Sequence, residues 1–274
     1  MDQAAKGRAF KALHEREKLF VIPNPWDAGS AKILASMGFE ALTTTSAGTA
    51  FQLGRPDGEA LVTRDETIAN AALVAGAVDL PVAGDLENGF GPTPEDAAET
   101  IRRAAAAGLV GGSIEDASGN PANPIYDFSL AVERVAAAAE TASNLGFDFT
   151  FVARAENFLH GRRDLDDTLK RLQAYEKAGA DVLFAPALPS LDAIRTICRE
   201  LGKPVNVVMS PKGTIFTVAE LEDAGVRRIS VGGSFFRAAL TGLRDAATEV
   251  RDHGTFTYLD RIMGMADITP IMRS

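Results

Sequence analysis

The chain has 274 residues, a formal net charge of −9 and a sequence pI near 5.0. This acidic balance argues against nucleic acid or an anionic membrane as the partner, because proteins bind both through basic patches. No apolar run approaches the ~18 residues of a membrane span, and the N-terminus lacks the apolar segment of a signal peptide, so we expect a cytoplasmic protein with a small-molecule partner. The single cysteine, Cys198, excludes a disulfide framework and a cysteine-based metal site.

Eight short apolar segments of β-type composition recur along the chain, and segments with helical periodicity separate them. The predicted strands cover residues 19–25, 41–46, 81–87, 110–116, 149–156, 181–187, 205–210 and 227–232. The clearest predicted helices cover 93–107, 130–145, 165–178, 191–201 and 218–224. Most of the helical segments close on a glycine, at 38, 108, 146, 179, 202 and 225, where a left-handed residue ends a helix at little cost.

Continuous apolar strands with helical crossovers form buried parallel sheets, so eight such units predict an α/β fold, the (β/α)8 or TIM barrel. A doubly wound open sheet is the alternative, and it would need fewer strands or a second domain. We predict a single barrel domain over 1–274, with an N-terminal helix in 1–18 and a C-terminal helical extension in 234–274. The Pro-, Gly- and Asn-rich segment 117–127 follows the fourth strand, and we predict that it is a mobile lid over bound ligand.

Charged residues end three neighbouring strands. The third strand reaches Asp85 and Glu87, the fourth reaches Glu115, and the fifth reaches Arg154 and Glu156. Side chains two apart on a strand point to the same face, and the carboxyl ends of barrel strands converge on one face. A capped turn would explain the first of these segments alone, because Asp, Asn and Gly are ordinary turn residues. Three such strand ends together favour a site for a hard cation such as Mg²⁺.

Other strand ends add groups that bind anions. Ser46, Ala47 and Gly48 follow the second strand and offer backbone N–H groups, while Asn206 lies on the seventh strand. Arg154 can pair with a carboxylate through two parallel hydrogen bonds. A carboxylate cluster, an arginine and a loop of small residues together suit a 2-oxo acid, because a bound Mg²⁺ polarises the oxo group. Asn206 is accordingly predicted to bind substrate, and Glu156 is predicted to support its neighbours rather than to act as a base.

These residues resemble the isocitrate lyase/phosphoenolpyruvate mutase superfamily over roughly 20–238. Six segments carry the resemblance: Ser-Ala-Lys-Ile at 30–33, Thr-Ser-Ala-Gly at 45–48, Gln-Leu-Gly-Arg-Pro-Asp at 52–57, Asp-Leu-Glu-Asn-Gly-Phe-Gly at 85–91, Ile-Glu-Asp at 114–116 and Val-Ala-Arg at 152–154. The resemblance implies that Asp85 binds Mg²⁺, with Mn²⁺ as a substitute, and that Glu87, Glu115 and Asp57 hold its water ligands. It also implies that Arg154 binds the substrate carboxylate and that the backbone at 46–48 binds its oxygens. The family further implies a homotetramer, a dimer of dimers that exchange C-terminal helices, here within 234–250.

Departures from the family pattern bear on the reaction. The family usually has Asp-x-Asp at the third strand, where this chain has Asp85 and Glu87. Lyase members carry a Lys-Lys/Arg-Cys-Gly-His loop after the fourth strand, whereas the segment 117–127 holds no Cys, His or Lys. Asn120 and Asn123 of this loop can hydrogen-bond a ligand but cannot act as strong proton donors, so we do not expect efficient cleavage of isocitrate or methylisocitrate. The mutase branch usually has a histidine at the sixth strand, where this chain has Phe-Ala-Pro-Ala at 184–187.

The preferred interpretation is therefore a Mg²⁺-dependent carbon–carbon lyase or decarboxylase that acts through an enolate on a small 2-oxo carboxylate or dicarboxylate, similar to oxaloacetate or 2-oxoglutarate. The alternatives are a 2-oxo-acid binding protein without turnover, a Schiff-base aldolase that uses Lys212, and a phosphonopyruvate hydrolase or mutase. The histidines His14, His160 and His253 fall in segments that we place away from the strand ends. A catalytic histidine is thus not expected.

Overall fold

The structure is a computed structural model that describes residues 1–210 and 215–273. Within these ranges the chain forms eight strands: β1 (Phe20–Ile22), β2 (Leu42–Thr43), β3 (Val82–Asp85), β4 (Gly111–Glu115), β5 (Thr150–Arg154), β6 (Val182–Phe184), β7 (Val205–Val208) and β8 (Arg228–Ser230). All neighbouring strands pair in parallel, in the order β1-β8-β7-β6-β5-β4-β3-β2. The N–H of Thr43 donates to the carbonyl oxygen of Pro23 at 3.1 Å, which brings the two ends of this order together. The predicted (β/α)8 barrel is confirmed.

Helices alternate with these strands around the sheet. They are α1 (Gln3–Glu15), α2 (Ala28–Ser36), α3 (Ser46–Gln52), α4 (Arg64–Ala77), α5 (Pro94–Ala106), α6 (Phe128–Ser143), α7 (Leu165–Lys177), α8 (Leu191–Glu200), α9 (Val218–Asp223), α10 (Ser234–His253) and α11 (Met265–Arg273), with a short 3₁₀ helix at Thr257–Arg261. Among the helices of the described ranges, none has both the length and the apolar character needed to cross a membrane.

The ends of α5 and α8 can be compared with those that capping residues predict. The Thr93 side chain caps α5 and exchanges hydrogen bonds with Asp96, so the helix begins at Pro94. Gly108 follows α5 with φ +93°, as expected of a left-handed terminator. The same expectation is wrong at Gly202, which has no positive φ, because α8 ends at the extended Leu201.

Helix α1 closes the N-terminal end of the barrel. Phe10 is fully buried against β4, where a Cβ on Gly111 would lie 2.7 Å from its ring. His14 is also buried, and its Nδ1–H donates to the Phe10 carbonyl oxygen at 2.8 Å, which leaves Nε2 to accept from Arg228 at 3.4 Å. With this end sealed, the carboxyl ends of the strands form the open face of the barrel.

The C-terminal segment lies on the outside of the barrel. Of the residues in α10, Phe236 is buried, while Leu243 on the same helix is 66% exposed. Helix α11 packs on α2, and Lys32 Nζ donates to the carbonyl oxygen of Met272 at 2.8 Å. The predicted C-terminal helices are thus present. Their exchange between subunits stays a prediction, because the structure contains one chain.

Candidate active site

The strand ends that the sequence singles out meet at the open face of the barrel. Glu115 and Arg154 are register partners at the ends of β4 and β5, and Asp85 ends β3 beside them. Arg154 Nη1 lies 3.1 Å from both Asp85 Oδ1 and Glu115 Oε2, and its Nη2 lies 2.9 Å from Glu156 Oε1. One guanidinium therefore connects three carboxylates that come from three strand ends.

Helix α3 begins against this cluster. The backbone N–H and the Oγ of Ser46 donate to Asp85 Oδ2 at 3.0 and 2.9 Å. Gly48 packs so closely that a Cβ would lie 2.5 Å from Thr45 Cγ2 and 2.9 Å from Trp26 Cβ. Ala47 fills the space beside Gly233, where an added Cβ would lie 2.9 Å from the Ala47 Cβ. The close packing of the residues after Ser46 thus fixes the start of α3 and points Ser46 at Asp85.

Glu87 follows β3 in a strained conformation. Its φ is +48°, which non-glycine residues rarely adopt, and its carbonyl oxygen accepts the N–H of Glu115 at 2.9 Å. Burial first, and then the charges of Asp85 and Asp57, raise the pKa of Glu87 to about 7 against the opposing charge of Arg154. The backbone therefore holds a carboxylate at a place where its charge is unfavourable in the absence of a cation.

The whole cluster carries an excess of negative charge. Burial raises the pKa of Glu115 well above its ordinary value, and burial also raises the pKa of Glu156. Burial works against the charge of Arg154, but Glu115, Glu156 and Asp85 outweigh it and hold the pKa of the guanidinium above its ordinary value. One arginine thus faces four buried or half-buried carboxylates, so the site favours an additional cation.

The donor set fits Mg²⁺. It consists of carboxylate oxygens around an open cavity, and Mg²⁺ binds through one or two carboxylates while it keeps several waters. In the part of the chain that the structure describes, no three His, Cys, Asp or Glu side chains are arranged to ligate one ion directly.

A cavity of about 750 Å³ opens above the cluster. The predicted site residues that line it are Ser46, Asp57, Glu87, Glu115 and Arg154. Asp57 is exposed and lies on the segment between α3 and α4. The structure therefore brings together residues from four separate chain segments around one space of ligand size.

Six other predicted site residues do not line this cavity: Asp85, Ala47 and Gly48, whose contacts are described above, and Asn206, Asn120 and Asn123. Asn206 is 1% exposed and lies inside the barrel, where its amide donates to Ser230 Oγ at 3.1 Å and accepts from Arg228 Nε at 2.9 Å. Asn120 and Asn123 are exposed and lie outside the lining. Lys212, the lysine of the Schiff-base alternative, falls outside the described residues.

The segment 117–127 forms a folded loop in the structure. Its ends pair through an antiparallel bridge between Ala117 and Ile125, and Ser118 N–H donates to the carbonyl oxygen of Pro124 at 2.9 Å. The side chain of Asn120 accepts from the N–H of Ala122 at 3.0 Å, so it is engaged within the loop. A closing movement of this loop stays a prediction.

Sequence reasoning missed one histidine of the cavity. His160 lines the cavity beside Leu159, on the connection between β5 and α7, so the expectation that it lies away from the strand ends is wrong. The available signal was its position six residues after Arg154, because every connection from a strand to the next helix lies at the open face of a barrel. His14, in contrast, lies at the closed end, as described above.

A buried network supports the strand ends from behind. Asp116 accepts hydrogen bonds from the N–H of Glu156 at 2.8 Å, from Arg171 Nη1 at 3.0 Å and from the Tyr175 hydroxyl at 2.6 Å. Arg171 also donates to the carbonyl oxygen of Tyr126, at the base of the 117–127 loop. Asp116 thus ties the ends of β4 and β5 to α7 and to the loop, which keeps Glu156 and its partner Arg154 in place.

Comparisons with known proteins identify related chains along almost the whole length. The chain matches the family model described as phosphoenolpyruvate phosphomutase over residues 10–251. The solved structure of a protein described as a lyase or mutase from Burkholderia cenocepacia J2315 is 52% identical, has a TM-score of 0.96, and covers 99% of this chain and 97% of its own. The 2-methylisocitrate lyase of Escherichia coli is 28% identical over 264 residues, which cover 93% of this chain and 88% of that enzyme. The 2,3-dimethylmalate lyase of Eubacterium barkeri is 27% identical over 282 aligned residues, with 99% and 94% covered.

These relatives confirm the predicted superfamily and, with it, the prediction of an enzyme. The family match spans the barrel from α1 to α10, so it includes every strand end that forms the cluster. Two of the relatives are named as lyases, and the family model is that of a mutase. The chain belongs to the phosphoenolpyruvate mutase family, within the isocitrate lyase/phosphoenolpyruvate mutase superfamily.

Proposed function

We propose that the protein is a Mg²⁺-dependent enzyme that forms or uses the enolate of a small 2-oxo carboxylate or dicarboxylate, as a carbon–carbon lyase or a decarboxylase. The observation that carries the proposal is the meeting of Glu87, Glu115 and Arg154 at one cavity, with Asp85 joined to this lining through its contacts with Arg154 and Ser46. Carboxylates at this density suit a hard cation, and a single guanidinium among them suits one carboxylate of the substrate. Mg²⁺, or Mn²⁺ in its place, would be held by Asp85 directly and by Glu87, Glu115 and Asp57 through water. When bound, it polarises the oxo group and stabilises the charge of an enolate.

Arg154 is positioned to change partners. Its Nε and Nη2 edge is paired with Glu156, and its guanidinium lies 4.8 Å from the ring centre of Phe184, so these two neighbours fix the plane of the group. Its Nη1 contacts Asp85 and Glu115, which are the carboxylates assigned to the cation. Once a cation takes up these two carboxylates, Nη1 is the edge that turns to the substrate carboxylate.

Two further arginines on the same cavity support a dicarboxylate. Arg64 lies at the first position of α4 and Arg103 lies on α5, and both line the cavity on the side of Asp57. Arg64 Nη2 is held by backbone carbonyl oxygens, including that of Gly89 at 3.2 Å, which fixes the position of its charge. In the structure Arg64 pairs with Asp96 and Arg103 pairs with the exposed Asp65. A second carboxylate of a substrate held by Arg154 would replace Asp65 as the partner of Arg103. The relatives named as lyases of methylisocitrate and dimethylmalate agree with such a substrate.

The remaining predicted contacts are also part of the proposal. Ser46 lines the cavity and would bind a substrate oxygen together with the backbone at 46–48. Asn120 and Asn123 would reach the ligand when the 117–127 loop closes, whereas the buried position of Asn206 favours a supporting role inside the barrel.

A ligand panel tests the proposed function. Oxaloacetate, 2-oxoglutarate, pyruvate, phosphonopyruvate and methylisocitrate are incubated with the protein in MgCl₂ or in EDTA, and products are followed by NMR. Binding of oxalate, a planar analogue of an enolate, is measured in parallel by calorimetry. We expect Mg²⁺-dependent oxalate binding, loss of that binding in Asp85→Ala, and turnover of at least one 2-oxo acid. Absence of Mg²⁺-dependent binding of every compound would contradict the proposal, and turnover of phosphonopyruvate alone would support the phosphonate alternative.

We also propose that the protein assembles as a homotetramer in which paired subunits exchange α10. Exposed apolar residues of the C-terminal segment support this, because a lone subunit leaves them in water. They are Leu240, Leu243 and Val250 on α10, and Leu259, Ile262, Met263 and Met265 beyond it. Light scattering of the purified protein measures the assembly. Leu243→Glu should lower the mass to that of a smaller species, and a monomeric mass for the unmodified protein would contradict the proposal.

A further inference from the structure

We propose that His160 transfers the proton at the carbon next to the oxo group of the substrate, an inference that rests on the proposed function. The lyase members of the superfamily carry a proton-donating loop that this chain lacks, so the enolate needs another donor. The cavity itself supplies the candidate. Among the described residues that line it, His160 is the only histidine, and the lining contains neither cysteine nor lysine.

The other titratable groups of the lining have competing partners. Arg154 stays protonated and pairs with carboxylates, so it cannot accept a proton. Glu156 is buried and engaged with both edges of that arginine. Glu87 and Glu115 are the carboxylates assigned to the cation's water ligands. Asp57 is likewise assigned to a water ligand of the cation, and Asp65 is exposed and paired with Arg103. His160 is therefore the side chain of the lining that can give and accept a proton near neutral pH without giving up another role.

The turn that carries His160 is fixed to the active-site strand. The N–H of His160 donates to the carbonyl oxygen of Glu156 at 3.2 Å, and the N–H of Arg162 donates to that of Asn157 at 2.9 Å. Asn157 is fully buried, and its amide donates to Asp167 Oδ2 at 2.7 Å in the first turn of α7. The imidazole therefore stands on a compact turn anchored at both ends. Arg154 lies at the start of this connection and His160 lies six residues later. One chain segment would therefore position both the group that binds the substrate carboxylate and the group that transfers the proton.

The surroundings of His160 set its charge. Partial burial of the imidazole lowers its pKa below the ordinary value, Asp116 opposes this, and Arg162 adds to it. Glu156 and Arg154 are the other charges that line the same wall of the cavity. The imidazole is therefore largely neutral at pH 7 to 8, where it accepts a proton, and its protonated form donates one.

Atoms and electrons balance in both directions of the step. In decarboxylation of an oxaloacetate-like substrate, the bond from C3 to the carboxylate breaks, carbon dioxide leaves, and the electron pair enters the enolate. Protonated His160 then gives its N–H proton to C3 and becomes neutral. In the reverse sense, a methyl C–H bond of bound pyruvate breaks, its electron pair enters the enolate, and neutral His160 takes the proton. Pyruvate carries the carboxylate and the oxo group that Arg154 and the cation would hold, so exchange of its methyl hydrogens reports on His160.

Hydrogen exchange of pyruvate is the test. Pyruvate is incubated with the protein and MgCl₂ in D₂O, and loss of the methyl proton signal is followed by NMR. The unmodified protein should accelerate exchange over a protein-free control. In His160→Gln the acceleration should fall by roughly 10²- to 10⁴-fold, the usual size of a general acid–base contribution. His253→Gln, an exposed histidine at the end of α10, is the matched control and should exchange at the unmodified rate. Added imidazole should restore part of the exchange in His160→Ala.

Oxalate binding separates this inference from the proposed function. His160→Gln should bind oxalate in MgCl₂ with the affinity of the unmodified protein, because oxalate needs no proton transfer. If the unmodified protein binds no 2-oxo acid or oxalate, the proposed function fails. If it binds them but His160→Gln exchanges pyruvate at the unmodified rate, or if the unmodified protein binds pyruvate without exchange, the role of His160 is refuted while the metal-dependent site stands.

Discussion

Replacement of Arg154 tests the centre of the site most directly, because this residue has two separable roles. In the free protein it pairs with Asp85, Glu115 and Glu156, and with ligand bound it would pair with the substrate carboxylate. Its side chain is 13% exposed and that of Glu156 is 3% exposed, so water screens these ion pairs poorly. Loss of one partner of a buried charge pair costs about 2–5 kcal/mol in binding, which corresponds to roughly a 30-fold to 5,000-fold rise in the dissociation constant of oxalate.

The two substitutions Arg154→Ala and Arg154→Lys divide the roles. Lysine keeps the charge near the three carboxylates but cannot form a two-pronged pair, so its oxalate affinity should fall nearly as far as that of the alanine variant. Stability should separate them, because Arg154→Ala leaves buried carboxylates unpaired at a cost of about 3–5 kcal/mol, whereas Arg154→Lys should lose clearly less.

Calorimetry with oxalate in MgCl₂ and urea unfolding in EDTA measure the two quantities. Arg237→Lys, an exposed arginine on α10, is the matched control and should change neither. If Arg154→Lys binds oxalate as the unmodified protein does, the arginine holds the strand ends together and does not bind substrate.

Three further predictions concern other parts of the fold and the site. Gly48→Ala should destabilise the protein by about 1–3 kcal/mol in urea unfolding, because the added Cβ would lie within 3 Å of Thr45 and Trp26. Gly76→Ala is the control and should not destabilise the protein, because its added Cβ would have no atom within 4 Å. Equal effects of the two substitutions would contradict the packing argument. Burial first, and then the charge of Arg228, lower the pKa of His14 to about 3, below its unfolded value of about 6.5, so its stabilising contribution is complete above pH 6.5 and is lost as the pH falls toward 3. The free energy of unfolding should drop by about 1.4 kcal/mol per pH unit from this group between pH 6 and 5, and an unchanged slope in His14→Gln would refute it. Glu87→Gln removes a carboxylate whose charge is unfavourable beside Asp85 and Asp57. The substitution should therefore raise the melting temperature in EDTA and reduce the stabilisation by MgCl₂. A lower melting temperature in EDTA would show that the charge of Glu87 is already compensated in the free protein.

The barrel and the charged strand ends could be predicted because they follow from local patterns. Parallel strands that are buried on both faces must be apolar throughout, so each strand is visible as a short apolar run. A charged residue at the end of such a run, such as Asp85 or Arg154, must then lie at the open face of the barrel. The sequence thus contains both the strand and the end at which its polar residue lies.

The places of Asn206 and His160 could not be read in the same way. Asn206 is the second residue of β7 and pairs with Arg228 at the start of β8, so it lies below the strand ends, and its depth depends on the stagger between strands. The direction of His160 depends on how the turn from Asn157 to Arg162 folds, which in turn depends on the buried amide of Asn157 and its partner on α7. The depth of Asn206 and the direction of His160 both depend on tertiary contacts, so the residue pattern of one segment does not predict them.

The interior of the barrel also explains why Arg154 faces the cavity. Arg228 is buried at the closed end, where its described side-chain partners are the neutral Asn206 and His14. Burial first, and then the charge of Arg154, lower the pKa of Arg228 to about 9, so the two guanidinium groups repel each other. This repulsion acts along the strands toward the open face, in the same direction as the attraction of the carboxylates at the strand ends. Under the proposed function, a substrate carboxylate that arrives from the cavity would meet a guanidinium whose charge is already directed outward, and it would not need to draw Arg154 out of the barrel interior.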